Sequence, residues 1–185
     1  MKKLMIAAAI VCAAVMGQAA QYNWSTTSTG LVFKPGGSTA SDLFTGTAYI
    51  FANTGDTTQQ KIFEALSAPN ADITTLGALD FSAVTTGGIK AKTAETDLIT
   101  YDGALTAFFA IVDGDNFYIG PTKTGTVLSV GADTLKFNAS SSSRAALKQA
   151  SEGYKGEGWY TVPEPTSGLL LLLGVAGLAL KRRRA

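Results

Sequence analysis

The sequence predicts a mainly β chain: an antiparallel, β-sandwich-like domain with one inserted helix, bracketed by an N-terminal signal helix and a C-terminal transmembrane helix. Three observations lead there. Short runs of apolar, aromatic and Thr residues are separated by Gly, Asp and Asn turn signals through the middle of the chain. No βαβ alternation accompanies them. Uncharged apolar runs flanked by basic residues lie near both ends of the 185 residues. The expected division is 1–19, a signal segment; 20–158, the β domain; and 159–185, a second signal with its own helix.

At the start, Met1, Lys2 and Lys3 form a positive region and residues 4–16 an uncharged apolar run, and Gly17-Gln18-Ala19 is a small-x-small site. This is the pattern of a Sec-type signal peptide, in which the lysines stay on the cytoplasmic side and the peptidase admits only small side chains next to the cut. Cleavage after Ala19 fits best, with Ala20 as the neighbouring option. The Sec translocon and signal peptidase are the implied partners. Cys12, the single cysteine, lies inside this run, and Ala9, Ile10 and Val11 before it lack a lipobox pattern. The mature body therefore has no thiol for a disulfide, a metal site or a nucleophile.

Within the body, residues 45–53 (TGTAYIFAN) and 104–112 (ALTAFFAIV) are the clearest strand candidates. The second leads through Asp113-Gly114-Asp115-Asn116 into residues 117–120 (FYIG), a hairpin with a tight turn. Residues 125–130 (GTVLSV) and 134–138 (TLKFN) form an expected second hairpin. Shorter candidates are 31–33, 80–84, 89–92 and 98–101, and the TG and TGG pairs mark turns. A sandwich is favoured over a closed barrel. For the inserted helix, Asp56 with Gln59 resembles a capping box, Ile62, Phe63 and Leu66 share one face, and Pro69 ends it. A shorter piece, residues 143–151, buries only Leu147 and alanines. Gly153, Gly156 and Gly158 then lead into Trp159-Tyr160, which either pack on the body or sit at a membrane surface.

Near the far end, residues 166–180 carry no charge and include a run of five leucines. As a helix they span about 22 Å, short of a ~30 Å hydrocarbon core unless flanking residues snorkel. Lys181, Arg182, Arg183 and Arg184 would hold that end in the cytoplasm, in agreement with an N-terminus that sends the body outward. Before the run, Pro163, Glu164 and Pro165 keep the chain extended and out of the helix.

This order of a Pro-Glu-Pro tripeptide, an apolar helix and a basic cluster resembles the PEP-CTERM sorting signal of exosortase substrates. The resemblance implies that an integral-membrane exosortase recognises Pro163, Glu164 and Pro165 and cuts near them. It also implies a transient inner-membrane anchor followed by the cell surface or extracellular space, often with exopolysaccharide and biofilm material. The bodies of such proteins differ widely, so fold and activity of residues 20–158 are not inherited from the tail.

The chemistry of the body is marked by exclusions. There is no histidine anywhere, which removes the commonest general base and the usual zinc and iron ligands. Neither a P-loop nor a G-x-G-x-x-G motif occurs, and no cofactor is expected. Once the terminal signals are set aside, nine basic residues face thirteen acidic ones, a net −4, and the bases are scattered, which excludes nucleic acid.

Carboxylates are the remaining catalytic resource, and Asp113 with Asp115 or Asp97 with Asp102 are the candidate pairs; turn stabilisation is the simpler role for them. Calcium at Asp113, Asp115 and Asn116 lacks the usual loop spacing. Tyr22, Trp24, Tyr49, Phe51, Phe108, Phe109, Phe117, Tyr118, Trp159 and Tyr160 could include a sugar-stacking platform, with core packing as the default. The expectation is a non-enzymatic surface or matrix protein whose body binds or packs. A secreted carboxylate-based polysaccharide hydrolase is the alternative.

Overall fold

The computed structural model describes residues 20–96, 103–126 and 134–162. Eleven strands form two sheets among these residues. In the smaller, β1 (Ala20–Thr26) lies between β5 (Lys92–Thr96), antiparallel to it, and β9 (Thr134–Phe137), parallel to it. The larger runs in the order β10 (Lys148–Gln149), β11 (Gly158–Thr161), β7 (Asn116–Ile119), β6 (Ala104–Asp113), β2 (Gly46–Ala52), β3 (Asp80–Thr85), β4 (Gly88–Ile89). On the β7 side of β6, β8 (Lys123–Thr126) pairs with the first half of β6 and β7 with the second. Pro121, lacking an N–H, lies at the break between them.

The domain is thus mainly β and sandwich-like, but its sheets are mixed, which corrects the antiparallel expectation. β1 pairs parallel with β9 and β10 with β11. A parallel partner must arrive by a crossover rather than a hairpin. For β10 to β11 the connection is the 3-10 turn Ala150–Glu152 and a loop in which Gly153 and Gly156 both take positive φ. The expected hairpin of 125–130 with 134–138 is also corrected: β8 joins the large sheet and β9 the small one. Gly125 faces Leu135 across the gap.

The hairpin of β6 and β7 is present, with Asp113 opposite Asn116 and positive φ at Gly114, as a two-residue turn requires. Residues 80–84 are in β3, and residues 89–92 divide between β4 and β5. Residues 31–33 contribute one bridge, Phe33 to Leu43. The candidate strand 98–101, the N-terminal signal helix and the expected transmembrane helix lie outside the described residues.

Two hydrophobic layers result. Between the sheets lie Tyr22, Trp24, Ile50, Phe109, Tyr118, Leu135, Phe137 and Trp159; on the other face of the large sheet lie Phe51, Phe108, Phe117, Ile119 and Tyr160, packed against helix α1 (Gln59–Leu66). Burial on both faces makes the Ala-Phe-Phe-Ala-Ile stretch of β6 continuously apolar. Ile62, Phe63 and Leu66 are the buried face of α1, and the Phe63 ring meets Tyr160 edge-on at 4.8 Å. The cap is Thr58, whose hydroxyl accepts from the Lys61 N–H at 3.2 Å, and not Asp56. The second helix is displaced from 143–151 to α2 (Ser140–Arg144). Buried Ser143 explains the shift: its hydroxyl accepts from the Phe33 N–H and ties α2 to the N-terminal segment.

Candidate functional site

α1 and the 3-10 turn Ile73–Thr75 cover only part of the large sheet, and β3 is left open on that face. The period of two in β3 buries Ser82 and Val84 and turns Phe81, Ala83 and Thr85 outward. Phe81 is 59% exposed, unusual for a large apolar ring. In register with it on β2 is half-buried Tyr49, with ring centroids 6.0 Å apart. Tyr49, Thr74, Ala78, Leu79, Asp80 and Phe81 line a concavity of about 460 Å³.

Charge is fixed at its edge. The Asp80 carboxylate accepts from Lys92 Nζ at 2.5 Å and from the Trp24 indole at 3.1 Å, so two strands of the small sheet, β5 and β1, hold this residue of the large one. Lys92 Nζ also donates to the Phe81 carbonyl and lies 4.8 Å from the centre of its ring. Burial first, and the Asp80 charge second, push the Tyr22 phenol far above its ordinary range, so it stays neutral. An exposed ring beside an ammonium that Asp80 holds from the inter-sheet side offers a flat apolar surface with a hydrogen-bond donor at its rim. A ring bearing hydroxyls on its edge and C–H bonds on its face fits that arrangement.

The other acids are engaged locally. Asp42 accepts from Ser38 N, Thr39 N and the Thr39 hydroxyl, and these bonds, the hydroxyl first, lower its pKa to about 2. Asp72 is lowered in the same way by the hydroxyl and N–H of Thr74. Glu152 pairs with Lys155. Asp113 and Asp115 are exposed on the β6–β7 turn, and Asp97 and Asp102 lie outside the described residues. Among the described residues, no group of three or more His, Cys, Asp or Glu could hold a metal ion. Of the aromatic residues singled out in the sequence, only Tyr49 reaches the surface; the other nine are buried. Phe81 was the missed residue, and the D-F-S-A-V alternation, which places it opposite Val84, was the available signal.

The C-terminal strand forms a second feature. β11 is clamped between β10 and β7, with Trp159 in the inter-sheet core and Tyr160 stacked on Phe117 at 5.4 Å. Lys148 Nζ donates to the carbonyls of Lys155, Gly156 and Glu157 and closes the loop before the strand. Burial pushes the Lys148 pKa down, while the nearby Glu157 opposes the shift. After Thr161, Val162 N–H still donates to the Asp115 carbonyl at 2.9 Å. The boundary expected at 158/159 therefore falls inside β11, and Trp159 and Tyr160 pack on the body. At the other end Ala20 opens β1, paired with Thr96. Ala19, Pro163, Glu164, Pro165, Lys181, Arg182, Arg183 and Arg184 lie outside the described residues. Among the described residues no helix is long and apolar enough to cross a membrane.

A folded β domain whose last strand runs straight into the Pro-Glu-Pro segment defines an exported protein with a C-terminal sorting signal. That signal is the PEP-CTERM protein-sorting motif, which matches residues 161–184 and implies processing by an exosortase-type system and an eventual surface or extracellular location. No curated protein and no solved structure matches the chain.

Proposed function

We propose that this chain is a cell-surface or extracellular-matrix protein whose β domain is a binding module without a catalytic role. In this reading the Sec translocon and signal peptidase export it, and cleavage after Ala19 leaves β1 whole. The C-terminal helix anchors it for a time in the inner membrane, with Lys181, Arg182, Arg183 and Arg184 inside. An exosortase-type enzyme then cuts near Pro163, Glu164 and Pro165.

The observation that carries the binding role is Phe81, exposed over Tyr49 beside the Asp80–Lys92 pair. A sugar ring would stack on Phe81 while the Lys92 ammonium, which Asp80 holds in place, meets its hydroxyls, so exopolysaccharide is the proposed partner. No observation favours the polysaccharide hydrolase: Asp42 and Asp72 bond their own turns, and Asp80 and Glu152 are in separate ion pairs. The test is binding of the secreted body to polysaccharide purified from the producing cells, by titration calorimetry. Phe81→Ala should weaken binding about tenfold, in line with the loss of one aromatic contact. Equal affinity for wild type and variant would refute the site.

A further inference from the structure

Where the chain leaves the fold limits what can reach its sorting signal. Thr161 is paired with both Asn116 and Gln149, and Val162 is hydrogen-bonded to Asp115, so the first residue of the matched motif belongs to the sheet and the second is tied to the β6–β7 turn. Pro163 comes next. At 3.3–3.6 Å per residue, Pro163, Glu164 and Pro165 together extend at most about 10 Å, and Leu169, where the leucine run begins, lies at most about 25 Å from Val162. Fraying β11 to gain length would pull Trp159 and Tyr160, both fully buried, out of their layers. An enzyme that holds the tripeptide while the tail is in the membrane must therefore touch the folded domain.

The surface it meets is concave. The β6–β7 turn and the loop after α1 enclose a cleft of about 240 Å³ beside Val162, with Leu66, Pro69, Val112 and Phe117 among its walls. Its rim carries Asp115, with Asp113 next to it in the turn, and among the described residues no cationic side chain lines it. Such a rim repels anionic lipid headgroups and suits a basic protein surface.

Resting on the sorting role above, we propose that this cleft is a docking site for the membrane enzyme that cuts the tail. It receives a side chain from an extracytoplasmic, basic segment of that enzyme, with Asp115 at the rim as its partner. Docking holds the tripeptide at the enzyme's cleavage site, because a tethered second contact raises the effective concentration of the first.

The test follows release of the full-length protein from its anchor in the producing cells, by pulse-chase and C-terminal mass spectrometry. Val112→Glu puts a charge on a partly exposed wall of the cleft and should slow release at least fivefold; Asp115→Lys, whose side chain is exposed, should do the same. A ten-residue Gly-Ser spacer between Val162 and Pro163 should also slow release, since it uncouples the cleft from the tripeptide. Protease resistance of the released bodies identifies any variant that misfolds. Wild-type rates for both point variants, or faster release with the spacer, would overturn the proposal, the latter by showing that the domain only obstructs the enzyme. Binding of the wild-type body to anionic vesicles, lost in Val112→Glu, would overturn it in favour of a lipid contact. Pro163→Ala with Pro165→Ala is the separate control: release of that variant at the normal rate would remove the sorting role itself.

Discussion

The indole N–H of Trp159 donates to the carbonyl of Phe33, 2.7 Å away and 126 positions earlier in the chain. Both partners are buried, and the Phe44 and Tyr118 rings pack on the same indole at 5.7 and 5.3 Å. The strand that leads into the sorting signal therefore locks the N-terminal segment against the large sheet. Trp159→Ala should cost about 3–5 kcal/mol in urea unfolding of the secreted body, from the cavity and the lost ring contacts. Trp159→Phe keeps most of the packing and should cost about 1–3 kcal/mol, because the buried carbonyl loses its donor. A cost near zero for Trp159→Phe would mean that the hydrogen bond adds nothing to the packing, since both variants lose the donor.

Tyr22 predicts a gain. Its ring is in the inter-sheet core and its hydroxyl is buried with no hydrogen-bond partner among the described residues. Tyr22→Phe removes an unsatisfied polar atom and should raise stability by about 1 kcal/mol, within the penalty for such a group. A drop in the urea midpoint would show that the hydroxyl has a partner.

Two glycines separate close approach from open space. A Cβ at Gly30 would lie 2.7 Å from the Asn138 Cα and 2.9 Å from the Phe137 carbonyl oxygen, backbone atoms that cannot rotate away, whereas nothing lies within 4 Å of one at Gly55. Gly30→Ala should destabilise by about 1–3 kcal/mol through overpacking. Gly55→Ala should be neutral or stabilising by about 0.5 kcal/mol, through the unfolded chain. Thermal melts of the two variants provide the comparison.

Acid should reveal Asp42. Its folded pKa of about 2 lies below the ~3.9 of an unfolded aspartate, so its contribution to stability is complete above about pH 4 and is lost as pH falls toward 2. Asp42→Asn should therefore lower the melting temperature near neutrality and flatten its fall between pH 4 and 2. A wild-type slope in that window would assign acid sensitivity to other carboxylates.

Much of the local structure was legible in the chain. The β6–β7 hairpin follows from aromatic strands around Asp-Gly-Asp-Asn, and the buried face of α1 from the spacing of Ile62, Phe63 and Leu66. The cap was misplaced because Asp56 and Thr58 are both good N-cap types, and only the path of the loop decides which side chain reaches a free N–H. The open site was half-visible. Tyr49 is an evident aromatic, and the alternation in β3 sets Phe81 on the face opposite Val84, but that this face is open follows from α1 stopping short of β3, which no local pattern records.

By itself the sequence determined the C-terminal sorting signal, since a proline-bounded acid, an apolar run and a basic cluster act locally on the membrane and its enzymes. It also determined the β character of the body and, through the absence of histidine and of any cysteine but Cys12, a narrow chemistry. Tertiary structure alone decided that β8 and β9 belong to different sheets, that two pairings are parallel, and that Trp159 is core rather than a membrane-surface residue. The reason is physical: a strand's own residues specify that it needs a partner, while the partner's identity and direction depend on which distant segment buries the most apolar surface against it.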